Sequence, residues 1–284
     1  MSAIPPLVTT EWLGEHLGES GIRVADASWY LPEAKRNALA EFDQRHIPGA
    51  VFFDIDAISD HSTNLPHMLP GPAEFASAMR RLGIGDADLV VFYDGAGIYS
   101  SPRALWMMRA MGHDRAAVLD GGLPKWLRDG YPADAGAMIP AEAGHFTARF
   151  RPELVRTFPQ MLDNLDQRTE QIVDARSPGR FRGEEPEPRA GVRPGHIPGS
   201  ANMHYAKLVK ADGTMRDPAE LRKLFAEHGI DPARPAVTSC GSGITAAIVT
   251  LALEIAGAKH VGLYDGSWSE WGGHKDAPVA TGAA

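Results

Sequence analysis

The chain contains a single cysteine, Cys240, within VTSCGSGITAAIV at residues 237–249. A β-branched run precedes it; a glycine-bracketed turn and an apolar helical stretch follow it. A thiol at such a junction has two reasons to ionise. Backbone N–H groups of GSGIT can converge on the sulfur, and a helix beginning near Ile244 would point its positive end at it. Gly241 and Gly243 admit turn angles closed to other residues and leave room for a substrate. Ser242 and Thr245 add hydroxyls, and Ile244 completes the loop. A free cysteine often packs as a small hydrophobe, but this setting is the one a nucleophilic thiolate needs.

Other chemistries fit less well. A phosphatase-like loop of the strand–Cys–loop–helix kind closes on an arginine, and CGSGITAA has no basic residue. The G-x-G-x-x-G of a dinucleotide site is absent from this loop. One cysteine with scattered histidines lacks the spacing of zinc ligands, and HSTNLPH at 61–67 reads as a loop. No metal and no organic cofactor is expected.

Composition narrows the partners. With 284 residues, 44% of them apolar and 23% charged, the chain suits a globular protein of two domains. A net charge of −8 argues against nucleic acid or an anionic membrane as partner. One cysteine cannot close an intramolecular disulfide, so a reducing compartment is the simplest setting. MSAIPPLVTT lacks the basic and apolar regions of a signal peptide. ITAAIVTLALEIAGA is too short to span a bilayer and carries Glu254. The expectation is a cytoplasmic protein.

The elements that must position the thiol come in two copies. RHIPGAVFFDIDAI at 45–58 recurs as GHIPGSANMHYAKL at 195–208, which sets His46 and His196 150 residues apart. VADAS at 24–28 matches VDARS at 173–177, LVVFYDGAGI at 89–98 matches PAVTSCGSGI at 235–244, and VLDGGLPKW at 118–126 matches LYDGSWSEW at 263–271. Asp94 therefore stands where the second copy has Cys240. His46 and His196 occur in both copies, one of them without a thiol, and read as packing residues. The tryptophans of GLPKW and GSWSEW read as core or interface.

Within each copy, β-branched runs alternate with helical stretches. The second copy reads as strand QIVDA, helix PAELRKLFAEHGI, strand AVTSC, helix GITAAIVTLALEIAGA and strand HVGLYDG. The first follows the same order with RVADAS, PAEFASAMRRLGI, LVVFYDG, SPRALWMMRAMG and AAVLDGG. Such alternation predicts an α/β fold of two tandem domains, each a parallel β-sheet flanked by helices on both faces. The expected boundaries are an N-terminal, non-catalytic domain over 1–135, a linker over 136–154 and a C-terminal, catalytic domain over 155–284. Cys240 would end a strand at the C-terminal sheet edge, where such folds bind ligands.

FDQRHIPGAVFF at 42–53 and VGLYDGSWSEW at 261–271 resemble the two signatures of the rhodanese superfamily. The duplication resembles its tandem-domain sulfurtransferases over essentially the whole chain. CGSGITA is similar to the neutral loop of the branch that takes sulfur from 3-mercaptopyruvate, with Ile244 where valine is common. The thiosulfate:cyanide branch carries basic residues after the cysteine. DARSPGRFRGEEPEPRAGVRPGHIPG at 174–199 resembles the segment in which two arginines hold the substrate carboxylate, by position Arg180 and Arg189. FFDIDAISDHSTNLPHMLPG at 52–71 resembles the segment supplying an Asp and a His that act with the loop serine, here Asp56, His67 and Ser242. Taken alone, GRFRGEEPEPR also fits a solvated loop with compensating charges, and His67 a loop histidine bonded to backbone.

The resemblance implies that Cys240 takes the sulfur of 3-mercaptopyruvate as a persulfide and releases pyruvate. An external acceptor, a thiol such as reduced thioredoxin or cyanide, would then remove the sulfur. Arginine suits a keto-acid carboxylate because its fork binds two oxygens at once. The alternatives are a thiosulfate:cyanide sulfurtransferase and a persulfide carrier loaded by another enzyme. The arginine pair speaks against a pure carrier, which has no small carboxylate to grip.

Overall fold

The structure, a computed structural model, describes residues 4–138 and 144–283. Residues 139–143 of the expected linker, and the outermost residues 1–3 and 284 of the expected domains, lie outside the described residues.

The chain divides into two compact units. The first comprises the chain to Asp60, Leu69–Arg151 and Lys210–Met215; the second comprises His61–Met68, Pro152–Val209 and the chain from Arg216. These units follow spatial packing, which differs from a division made in chain order. Residues 144–151 pack as part of the first unit: His145 O accepts from Asp86 N, while Arg149 N and Arg151 N donate to Met111 O and Ala110 O. Phe146 is buried there against Phe75 and His113. The Ala, Gly and Pro content of 131–154 concealed that anchor. Segments 61–68 and 210–215 each pack on the unit formed by the other half. A linear reading of a repeat has no means to detect such an exchange.

The first unit runs β1 (Leu7–Val8), α1 (Thr10–His16), β2 (Ile22–Asp26), α2 (Ala38–Gln44), β3 (Val51–Phe52), α3 (Pro72–Arg81), β4 (Leu89–Tyr93), α4 (Ser101–Ala110), β5 (Ala116–Leu119) and α5 (Gly122–Arg128). The second runs β6 (Val155–Arg156), α6 (Phe158–Gln167), β7 (Gln171–Asp174), α7 (Pro178–Arg182), β8 (Ala201–Asn202), α8 (Pro218–Glu227), β9 (Ala236–Ser239), α9 (Ile244–Ala256), β10 (Val261–Tyr264) and α10 (Ser267–Trp271). Among the described residues each unit holds a five-stranded sheet, in the orders β1-β5-β4-β2-β3 and β6-β10-β9-β7-β8, the same order twice. All pairings between these strands are parallel.

The central strands β4 and β9 are buried along their whole length, as continuous apolar runs covered on both faces must be. α4 and α9 are buried nearly all round, so their sequences lack the polar stripe of a surface helix. α8 lies on the surface: Asp217 caps it with a reciprocal Glu220 contact, and Pro218 opens it. No helix among the described residues is long and apolar enough to cross a membrane.

The repeat extends to side chains. His46 stacks on Phe42 at 4.1 Å, and His196 stacks on Phe181 at 3.8 Å. Each ring places Nδ1 2.8 Å from the carbonyl oxygen of that phenylalanine. Both histidines are packing residues. Trp126, Trp268 and Trp271 are core residues, each fully buried with its indole N–H donating to a backbone carbonyl.

Candidate active site

Cys240 directly follows β9 and begins the turn into α9. Its side chain is buried, and Sγ accepts the Gly243 N–H at 3.1 Å. Gly243 adopts φ 81°, a left-handed conformation that a Cβ would strain, and this turn aims its N–H back at the sulfur. Ile244 is the first residue of α9 and is buried; Thr245 is half-buried on the same turn.

α10 holds the loop from behind. Trp268 N donates to Cys240 O and Ser269 N to Gly241 O, both at 2.9 Å. Ser269 Oγ also donates to Gly241 O, at 2.5 Å, and Ser267 Oγ accepts Cys240 N at 3.2 Å. With those carbonyls tied back, the turn directs the Gly243 N–H at the sulfur. Below the loop, burial pushes the Tyr264 phenol well up, and the Glu270 charge adds to it. Burial likewise raises the Glu270 carboxyl.

Both expected arginines lie at this loop. A Cβ on Gly241 would stand 3.1 Å from Arg180 Nη2 and 3.9 Å from Nη1, so the glycine is what lets the guanidinium approach. Arg189 Nη1 donates to Ser269 Oγ at 3.3 Å, and that hydroxyl is the one bonded to Gly241. Arg180 is held in turn by Glu187, through Nε at 3.3 Å and Nη2 at 2.5 Å. Glu187 also accepts from Arg176, which grips Asp174 with Nε and Nη2.

His67, from the segment that joins this unit, is buried at φ 59° with Nδ1 3.3 Å from Ser242 O. The contact is to the backbone carbonyl of Ser242. Ser242 itself is buried in the turn. Asp56 belongs to the first unit, where it sits on an exposed turn and accepts Trp29 Nε1–H at 3.0 Å.

Sequence reasoning missed Arg176, Glu187 and Ser269. EEPEP offered three glutamates with nothing to choose among them, and a charge run reads as a solvated face. Arg176 and Glu187 are nonetheless almost wholly buried. Among the described residues, no group of three or more His, Cys, Asp or Glu could hold a metal. The arrangement presents a buried sulfur, bonded by the Gly243 N–H, beside two guanidinium groups that suit a small carboxylate.

The chain is similar to known proteins. The family model for the rhodanese-like domain matches residues 9–129 and 157–274. The chain is 46% identical over 271 residues to 3-mercaptopyruvate sulfurtransferase of Homo sapiens, covering 93% of this chain and 91% of that one. It is 44% identical over 273 residues to 3-mercaptopyruvate sulfurtransferase of Escherichia coli (strain K12), covering 96% of each. The crystal structure of SseA from Escherichia coli, reporting the rhodanese fold and catalytic mechanism of 3-mercaptopyruvate sulfotransferases, matches with a TM-score of 0.86 at 41% identity. That match covers 93% of this chain and 99% of the other.

Proposed function

This chain belongs to the rhodanese-like family, and we propose that it moves the sulfur of 3-mercaptopyruvate to an acceptor through a persulfide on Cys240, releasing pyruvate. One observation carries the reading: the Cys240 sulfur and the Arg180 guanidinium flank the same short turn, one for the donor's sulfur and one for its carboxylate.

The Cys240 thiolate attacks the donor sulfur. The S–S bond forms as the C–S bond breaks, and its electron pair goes to the carbon as pyruvate enolate. One proton converts the enolate to pyruvate. Arg180 and Arg189 hold the carboxylate, and the turn's N–H groups stabilise charge at sulfur. His67, with Ser242 and Asp56, serves the proton movement. An external thiolate, that of reduced thioredoxin for example, or cyanide then attacks the outer sulfur and regenerates the Cys240 thiolate. The covalent sulfur is the only carrier this cycle needs, so it calls on no metal or organic cofactor. A reducing cytoplasm suits it by keeping the cysteine as a thiol.

The test is intact-protein mass spectrometry after 3-mercaptopyruvate, with pyruvate assayed in parallel. The wild type gains one sulfur and releases pyruvate, and Cys240→Ser does neither. Pyruvate release by Cys240→Ser would overturn the mechanism.

A further inference from the structure

Arg180 is useful only if its fork faces the donor, and the structure shows what aims it. Glu187 takes the Nε and Nη2 hydrogens from one side. The Nη1–Nη2 edge remains against Gly241, on the side of the sulfur turn. We propose that Glu187, anchored by Arg176, is a positioning residue that presents this edge of Arg180 to the donor's carboxylate. This deepens the reading of a 3-mercaptopyruvate site and rests on it.

The anchoring is specific. The Glu187 side chain is 4% exposed and that of Arg176 1%, so each charge must be paired where it lies. Glu187 Oε1 accepts Arg176 Nη1 at 2.8 Å, while Oε2 accepts Arg180 Nη2 at 2.5 Å. Arg176 reaches both oxygens of Asp174 at the end of β7 and donates to Gly195 O at 2.8 Å. Its guanidinium lies 4.3 Å over the Trp268 ring, and Trp268 N donates to Cys240 O. One side chain thus references the carboxylate clamp to the element that holds the cysteine. The strand register makes Asp26 the counterpart of Asp174, so Ser28 stands where the second unit has Arg176 and supplies no guanidinium.

The test is steady-state kinetics of Glu187→Gln, Glu187→Asp and Arg176→Lys with 3-mercaptopyruvate and with thiosulfate, which has no carboxylate. Glu187→Gln raises KM for 3-mercaptopyruvate about tenfold while kcat stays within about twofold. Its KM for thiosulfate changes less than about threefold, and Glu187→Asp recovers part of the loss. Arg176→Lys keeps the charge but cannot reach Asp174 and Glu187 together, and gives the same donor split. If that variant does not fold, the Glu187 pair decides. An unchanged KM, an equal shift for both donors, or a fall in kcat alone overturns the positioning role. A wild type that releases no pyruvate and gains no sulfur overturns the functional reading instead.

Discussion

Asp94 and Cys240 close equivalent strands in the two units, and the turns after them hold negative charge in opposite ways. Asp94 supplies its own anion. Its Oδ2 accepts from Tyr99 N, Ser100 N, Ser101 N and Ser101 Oγ at 2.7–3.0 Å, and its Oδ1 accepts from Ala96 N at 3.0 Å. To wrap a carboxylate, the turn is longer: α4 starts at Ser101, whereas α9 starts at Ile244, so the first unit has given up about one turn of helix. Cys240 accepts one N–H, from Gly243, and leaves the rest of its turn for a transferable sulfur. One scaffold therefore serves as a sealed cradle in one unit and as a working one in the other. The difference lies in what occupies the cradle.

Exchanging the two residues is the strongest way to break that comparison. Cys240→Asp removes the nucleophile and lowers pyruvate release by at least about a thousandfold. Asp94→Cys does not create a second carrier, since its turn is shaped around a carboxylate that accepts five hydrogen bonds. Intact mass after donor treatment shows one added sulfur; two would refute the comparison. The same variant leaves five donors, three of them buried, without their charged acceptor and costs about 3 kcal/mol in urea denaturation.

The neighbouring strands repeat the contrast with buried charge. Asp26 and Asp174 end the matching strands β2 and β7, and each accepts the N–H two residues on. Asp174 has Arg176 as counter-ion; the residue at that position in the first unit is Ser28. Burial pushes the Asp26 carboxyl up to about 6 from its ordinary 3.8, against the lowering by its Ser28 bonds. The folded chain then holds this proton more tightly than the unfolded chain. Charged Asp26 costs stability above pH 6, and that cost disappears as pH falls through 6 towards 4. Asp26→Asn is more stable than wild type by up to roughly 3 kcal/mol at neutral pH, and the advantage vanishes in acid. Urea titrations across that range check it, and an advantage independent of pH would refute the assignment.

The repeat makes this comparison legible in the residues alone, because matched landmarks put Asp94 opposite Cys240. The six strands read from apolar runs are β2, β4, β5, β7, β9 and β10, and all of them form. β1, β3, β6 and β8 are two residues long, too short for any periodicity, and their places come from pairing alone. Residue type and setting singled out Cys240, and the family resemblance singled out Arg180 and Arg189, which the structure places at the same turn. The site was opaque where burial carried the chemistry, because nothing local marks Glu187 as the one buried carboxylate of EEPEP. The exchanged segments were equally hidden, since pattern and composition carry no information about which core a loop packs on.

The smallest test concerns the first glycine of each turn. Both are covered by an arginine held by a glutamate: Arg180 with Glu187 over Gly241, and Arg36 with Glu41 over Gly95. A Cβ on Gly95 would stand 2.3 Å from Tyr30 Oη, which donates to Glu41. Gly95→Ala must displace that hydroxyl and costs about 1 kcal/mol in denaturation, with KM unchanged. A Cβ on Gly241 meets only Arg180, with Nη2 at 3.1 Å as the near atom. Gly241→Ala therefore keeps its stability within about 0.5 kcal/mol. It displaces the pinned guanidinium by a few tenths of an ångström, which raises KM for 3-mercaptopyruvate about threefold. The same crowding is felt as lost stability in the sealed cradle and as lost donor binding in the working one. Equal losses of stability in both variants, with KM untouched, would show that the two arginines are merely structural in both turns.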